Sequence, residues 1–179
     1  MICILLVEDD IHFNRIVCSY LTDSGYTVVG CYSALEAIEQ LEKMSFDIII
    51  SDIMMPAIDG YQLCRMIKNT EETRKIPVIL LTMLDKKIDS FWGKKAGAQL
   101  FLLKSIDIDE LTSNINATVR RYPVSEEYKK ALKEKDGTEN PAQTRLNTIL
   151  NDLLLKSMFS NEFRNLSDFL NYERICYNC

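Results

Sequence analysis

Five times within the first 122 residues, a short apolar run of strand length gives way to apolar residues at helical spacing. That alternation leaves little choice of architecture, because consecutive parallel strands need a crossover between them and the crossover is right-handed. The runs lie at 2–7, 27–32, 46–51, 78–82 and 100–104. The run at 2–7 is continuously apolar, as a strand covered on both faces is. The helical stripes expected between and after them are Phe13, Ile16, Val17, Tyr20 and Leu21, then Leu35, Ala37, Ile38 and Leu41, then Leu63, Cys64, Met66 and Ile67. A less apolar helix over 85–96 carries Ile88, Phe91 and Trp92, and a last one over 108–121 carries Leu111, Ile115 and Val119. Gly25 and Gly97 stop the first and fourth helices, and Ser33 with Glu36 forms a capping box that opens the second. The expected fold is α/β, a doubly wound five-stranded parallel sheet in the order 2-1-3-4-5, occupying residues 1–122.

The pattern changes after Pro123. Residues 123–140 read as a charged linker that includes a solvated helix over 125–135. Asn140 and Pro141 then supply an N-cap and a first-turn proline for a helix bearing Leu146, Ile149, Leu150, Leu153, Leu154 and Met158. Phe163, Leu166, Phe169 and Leu170 make a second stripe, so residues 141–179 are expected to form a helical extension, either an interaction hairpin or the beginning of an output region. Its stripe needs a cover: the first domain, a second copy of the chain, or another protein.

The net charge of −5 argues against a nucleic-acid binder, whose footprint is a basic patch, and acidic residues outnumber basic ones on both sides of residue 122. DNA is therefore an unexpected partner. No apolar run reaches the roughly 20 residues that span a bilayer, and Met1 leads into a strand without a basic leader, so no membrane association and a cytoplasmic location are expected. Cys3, Cys18, Cys31 and Cys64 fall within apolar patterns, where a free cysteine behaves as a small hydrophobe. Cys176 and Cys179 stand as a lone CxxC at the terminus, read as a frayed end rather than a metal site.

In a sheet of this kind all strand C-termini open on one edge, which is where such folds place their chemistry. Glu8, Asp9, Asp52, Thr82 and Lys104 all lie at those ends and should converge. Taken singly, Glu8, Asp9 and Asp10 are helix caps, Thr82 a strand residue, Phe101 a core ring and Lys104 a solvated charge. Two carboxylates within about 4 Å repel by roughly 4 kcal/mol at a near-surface effective dielectric, so a cation belongs among them. A pocket of oxygen donors without His or Cys suits Mg²⁺, to which Met54 could offer its backbone carbonyl. Lys104 adds a mobile positive charge and Thr82 a hydroxyl, both suited to phosphoryl oxygens. The constellation points to phosphoryl transfer onto a carboxylate.

Residues 1 to about 122 resemble a response regulator receiver domain of two-component signal transduction. The residues that carry the resemblance are Val7 to Asp10, the stretch from Asp52 through Pro56 to Gly60, Leu80 to Thr82, and Gly97 to Lys104, in that order along the chain. The resemblance implies a flavodoxin-like fold and a phosphoryl group accepted on Asp52 from a histidine kinase or phosphotransfer protein. It further implies Mg²⁺ held by Glu8, Asp9, Asp52 and the Met54 carbonyl, with Asp10 as the alternative to Glu8. Lys104 and Thr82 would serve the phosphoryl group, and Thr82 with Phe101 would read out its arrival as a changed binding face for a downstream protein. Such a chain is no enzyme beyond its own phosphoryl transfer and slow autodephosphorylation.

Five positions depart from that pattern. Met83 replaces a small residue after Thr82, and a long thioether there is expected to restrict water and slow autodephosphorylation. Ser105 replaces a proline whose preceding bond is usually cis; cis costs about 2.5 to 4 kcal/mol without proline, so Lys104 is expected to be aimed differently. Gln99 and Leu100 replace an acidic pair, and Phe101 lacks the hydroxyl of the frequent Tyr, which makes the face around Leu100, Phe101 and Trp92 more apolar; deeper core packing is the favoured reading of it. Three alternatives compete: a Mg²⁺ phosphohydrolase with an aspartyl nucleophile, a receiver-shaped interaction module that is never phosphorylated, and a transcription regulator whose DNA-binding output is unrecognised or missing. The first lacks an acid near the nucleophile, since Ile53 and Met54 follow Asp52.

Overall fold

The computed structural model describes residues 1–83, 95–126 and 130. All of them fall in the first of the two units into which the chain divides, Met1–Gly137. The helix expected over 85–96 lies outside the described residues apart from its last two, and so do the helical extension over 141–179 and most of the charged segment before it.

Five strands form one parallel sheet in the order β2-β1-β3-β4-β5: β1 (Cys3–Val7), β2 (Thr27–Cys31), β3 (Ile48–Asp52), β4 (Val78–Thr82) and β5 (Leu100–Leu103). This is the expected doubly wound order. The central strands β3 and β4 are buried at every position, and β1 at four of five, so their apolar runs are the middle of the core. Register places Leu6 beside Ile50 and Ile50 beside Ile79, and it brings the chain ends of β1, β3 and β4 to one edge. Asp52 is the last residue of β3 rather than the first of a loop, because its neighbour Ile53 still donates a ladder hydrogen bond to Leu81 O at 3.1 Å.

Four helices are described: α1 (Ile11–Asp23), α2 (Ala34–Lys43), α3 (Gly60–Asn69) and α4 (Ile108–Arg121). Their starts follow local capping. Asp10 accepts from His12 N and Phe13 N, Ser33 from Glu36 N, and Asp107 from Glu110 N. Glu36 returns its side chain to Tyr32 N rather than to the cap residue, whereas Asp59 and Gln62 close a complete capping box. Gly25 follows α1 at φ +89°, as the stop expected there.

The stripes are inward-facing with two corrections. On α1 the buried row is Asn14, Val17 and Leu21, while Ile16 and Tyr20 are each 54 % exposed. The helix is rolled so that the polar Asn14 points into the sheet, which turns Ile16 and Tyr20 onto a shoulder. There, with Phe13, they line a groove of about 320 Å³ whose opposite wall is Ile106, Ile108 and Leu111. On α2, Leu35 is exposed and Ala34 takes the buried place. On α3 every residue of the expected stripe is buried. Cys31 and Cys64 are buried and Cys3 and Cys18 half-buried, and burial pushes the Cys31 thiol up to about 12 and that of Cys64 to about 11. No helix among the described residues is long and apolar enough to cross a membrane.

Candidate functional site

Three loops meet at the C-terminal edge of the sheet. β1 ends at Val7, and the next residue, Glu8, is drawn inward by a hydrogen bond from its N–H to Cys31 O at 3.0 Å, leaving its side chain 1 % exposed. Asp52, at the end of β3, is 3 % exposed in its side chain. Lys104 follows β5, and its N–H donates to Thr82 O at 2.8 Å, which fixes the direction in which its side chain leaves the strand. Lys104 Nζ then reaches Glu8 Oε2 at 2.8 Å, Glu8 Oε1 at 2.9 Å and Asp52 Oδ2 at 2.9 Å.

One ammonium thus faces three carboxylates, because Asp9 also lies here and oxygens of Glu8, Asp9 and Asp52 come within 4.8 Å of one another. Burial holds the Glu8 carboxyl above its ordinary range; the hydrogen bond from Lys104 opposes that and the Asp52 charge adds to it. Burial would lower Lys104, but the hydrogen bonds to Glu8 and Asp52 and their charges outweigh it and raise its pKa. Asp52 Oδ1 is fully buried and has no hydrogen-bond partner among the described residues. An orphaned carboxylate oxygen in an oxygen-only pocket with surplus negative charge fits a hard divalent cation, which takes carboxylate ligands and retains waters.

The other expected residues take distinct places. Asp10 turns outward as the cap of α1, and its hydrogen bonds from Phe13 N and His12 N lower its pKa, so the acids that gather are Glu8, Asp9 and Asp52. Thr82 is buried at the end of β4, in register with Leu103. Phe101 is half-buried on the edge strand beside Leu80, as is its neighbour Leu100, while Trp92 lies outside the described residues. Met54 is half-buried in the loop after Asp52. Gln99 braces the sheet, its Oε1 accepting from Val78 N at 2.7 Å and its Nε2 donating to Gly97 O at 3.0 Å. With Ser105 in the proline position and no cis peptide among the described residues, Lys104 still points into the acidic pocket; the expected change of aim is not found.

Three contributors escaped the sequence reading. Phe13 lies beneath Lys104, with Nζ 5.1 Å from the ring centroid, a cation–π contact. Asn14 bonds the backbone of the acidic loop. Gly60 packs its backbone directly on the Asp52 carbonyl, so that a Cβ there would overlap it. In the sequence Phe13 belongs to the first helical stripe and Gly60 to the stretch that begins at Asp52, while Asn14 falls outside the stripe; a polar residue beside an apolar row is the signal that could have found it.

The family model described as "Response regulator receiver domain" matches residues 4–116, more than half of the chain. The chain belongs to the response regulator receiver family. Among curated relatives, "Probable transcriptional regulator ycf29" of Porphyra purpurea is 36 % identical over 138 residues, 77 % of this chain and 65 % of that protein. "Response regulator ArlR" of Staphylococcus aureus is 33 % identical over 120 residues, 67 % of this chain and 53 % of that protein. The match therefore spans less than two thirds of those relatives' length. Among solved structures, the receiver domain of a signal transduction histidine kinase from Syntrophus aciditrophicus aligns at a TM-score of 0.65 and 33 % identity, covering 70 % of this chain and 96 % of that one. The receiver domain of sensor histidine kinase PA1611 from Pseudomonas aeruginosa, solved with magnesium coordinated in its active-site cleft, aligns at 0.61 and 29 % identity, covering 66 % and 97 %. A receiver is thus established by sequence and fold together, which leaves its chemistry and output to be argued from the site.

Proposed function

We propose that this receiver accepts a phosphoryl group on Asp52 from the phosphohistidine of a histidine kinase or phosphotransfer protein. The observation that carries the reading is the asymmetry of the Asp52 carboxylate: Oδ2 is held by Lys104 at 2.9 Å while Oδ1 is buried without a partner. A carboxylate anchored in this way keeps a fixed orientation, with Oδ1 left to take the cation and a lone pair on Oδ2, beside Lys104, left to attack phosphorus. The new O–P bond forms as the P–N bond of the donor breaks, and the imidazole nitrogen leaves with the electron pair. Lys104 stays beside the reacting oxygens and offsets charge on the transferred group, while Thr82, at the adjacent strand end, offers a hydroxyl.

Glu8, Asp9, Asp52 and the Met54 carbonyl would hold Mg²⁺, an ion that the Pseudomonas relative binds in its cleft. Bound there, Mg²⁺ supplies positive charge to the phosphoryl oxygens. The acyl phosphate carries up to about two negative charges beside Thr82 in place of the single carboxylate charge, and movement of Thr82 toward it frees space for Phe101, so that the face around β5 changes for a downstream protein or a second copy of the chain. The chain catalyses nothing beyond this transfer and its own slow dephosphorylation. A regulator of transcription, the role in the names of some relatives, would need an output outside the matched residues.

Intact mass after incubation with Mg²⁺ and a small-molecule phosphodonor tests the proposal. One added phosphoryl mass that requires Mg²⁺ and is absent in Asp52→Asn is the expected result. Failure of any adduct to form would leave a phosphorylation-independent interaction module as the better account.

A further inference from the structure

Asn14 is 2 % exposed on the face of α1 that otherwise buries Val17 and Leu21. A carboxamide at such a depth costs stability unless its donors and acceptor are bonded, and an aliphatic residue would have completed the helix face without that cost. Its donors all lead to one place. Nδ2 donates to Glu8 O at 3.2 Å and to Cys31 O at 2.8 Å, and the backbone N–H of the same residue donates to Asp10 O at 2.8 Å. Cys31 O also takes the Glu8 N–H at 3.0 Å. Asn14 Oδ1 accepts from Cys18 Sγ at 3.4 Å, and Gly30 makes room for the group, since a Cβ there would lie 2.9 Å from that sulfur.

The consequence falls on Asp9. Of the carbonyls on either side of it, Glu8 O is held by the Asn14 side chain, and Asp10 O takes the first helical bond of α1 from the backbone N–H at position 14, which any residue but proline would make. Asp9 is exposed and stands between two fixed peptides, with its carboxylate in the cluster with Glu8 and Asp52. We infer that Asn14 is a positioning residue for the divalent cation: it clamps the backbone of residues 8–10 to the end of β2, so that the carboxylates of Glu8 and Asp9 meet that of Asp52 across the sheet edge. The inference rests on the proposed cation site. None of the hydrogen bonds of Asn14 goes to Asp52 or Lys104, so its removal weakens cation binding and spares the reactivity of Asp52 once the cation is bound.

Calorimetric titration of the full chain with Mg²⁺, paired with the Mg²⁺ dependence of phosphoryl incorporation from a small phosphodonor, tests this for the wild type, Asn14→Ala, Asn14→Ser and Leu21→Ala. Outer-shell groups of this kind are worth about 10- to 100-fold in metal affinity. Asn14→Ala should therefore raise the Mg²⁺ Kd and the half-saturating Mg²⁺ concentration together by about tenfold or more, with little change in the rate at saturating Mg²⁺. Asn14→Ser, whose hydroxyl can serve one of the two carbonyls, should fall between, and it carries the test if the alanine variant does not fold. Leu21→Ala loosens the same helix elsewhere in the core and should keep the wild-type Kd. Wild-type affinity in an Asn14 variant, or an equal loss in Leu21→Ala, overturns the inference. A wild type that binds no Mg²⁺ removes the cation site itself, and one that binds Mg²⁺ but takes no phosphoryl group removes the phosphoacceptor reading while the calorimetric comparison still decides the role of Asn14.

Discussion

Lys104 Nζ stands 2.9 Å from Asp52 Oδ2, although the two residues leave strands that β4 separates in the sheet. The same ammonium touches both oxygens of Glu8. Its removal should act in opposite directions on two measurements. Lys104→Met leaves the gathered carboxylates without their ammonium neighbour, so Mg²⁺ binds more tightly by calorimetry. Phosphoryl incorporation at saturating Mg²⁺ should nevertheless fall by about 10² to 10³, the usual loss when a positioned donor to a developing anion is deleted. Lys104→Arg keeps the charge but brings a wide planar fork into a narrow site, and should recover only part of the rate. A Lys104→Met variant that reacts at the wild-type rate would place the transferred charge elsewhere.

Gly60 meets the phosphoacceptor from the other side. Its N–H donates to Ile53 O at 3.0 Å, and a Cβ at this position would overlap the Asp52 carbonyl and come within 2.9 Å of Ile53 Cα. These obstacles are backbone at the end of a buried strand, and no rotamer relieves them. Gly60→Ala should cost about 1 to 3 kcal/mol in urea unfolding and reduce phosphoryl incorporation at the same time, because the end of β3 must shift. Unchanged stability would show that the α3 start can slide away from β3.

The fold was legible because its signals are local. Hydrophobic period switches from two to 3.6 and back along the chain, and parallel strands with right-handed crossovers admit few orders. The strand-end rule then assembles Glu8, Asp52, Thr82 and Lys104 without any contact being known. What stayed hidden depends on how an element is rolled against its neighbours. Ile16 and Tyr20 belong to the same apolar stripe as Val17 and Leu21, yet Asn14 takes the inward position and they remain exposed. Phe13 under Lys104 is likewise a contact between residues far apart in the chain, and Gly60 against Asp52 depends on how the loop between them folds back, with no periodicity to announce either.

Lys68 supplies a pH test independent of the site. Its Nζ donates to Ile76 O at 2.6 Å and to Arg74 O at 3.3 Å, and burial, partly offset by Cys64, pushes its pKa down from 10.5 to about 8. A lysine with a lower pKa folded than unfolded carries the full cost of its buried charge below about pH 8. That cost vanishes as pH rises towards 10.5, where the unfolded chain binds the extra proton and stability rises. The stability of wild type relative to Lys68→Met should therefore increase between pH 8 and 10.5 in denaturant titrations. A flat difference across that window would mean that the two carbonyls keep Lys68 charged.

Met83 is the departure with the most direct kinetic consequence. It follows Thr82 and is 73 % exposed, so shortening it removes almost no packing and leaves the fold undisturbed. What Met83→Ala changes is the bulk next to the site where an acyl phosphate would stand and where water must approach in line. The half-life of the phosphorylated protein, followed by loss of one phosphoryl mass, should shorten several-fold in Met83→Ala. Adding EDTA should lengthen it in both proteins, because hydrolysis of the acyl phosphate draws on the same cation as its formation. An equal half-life in wild type and variant would show that the exposed thioether does not shield the phosphoryl group, and the lifetime would then be set by Lys104 and the acidic cluster alone.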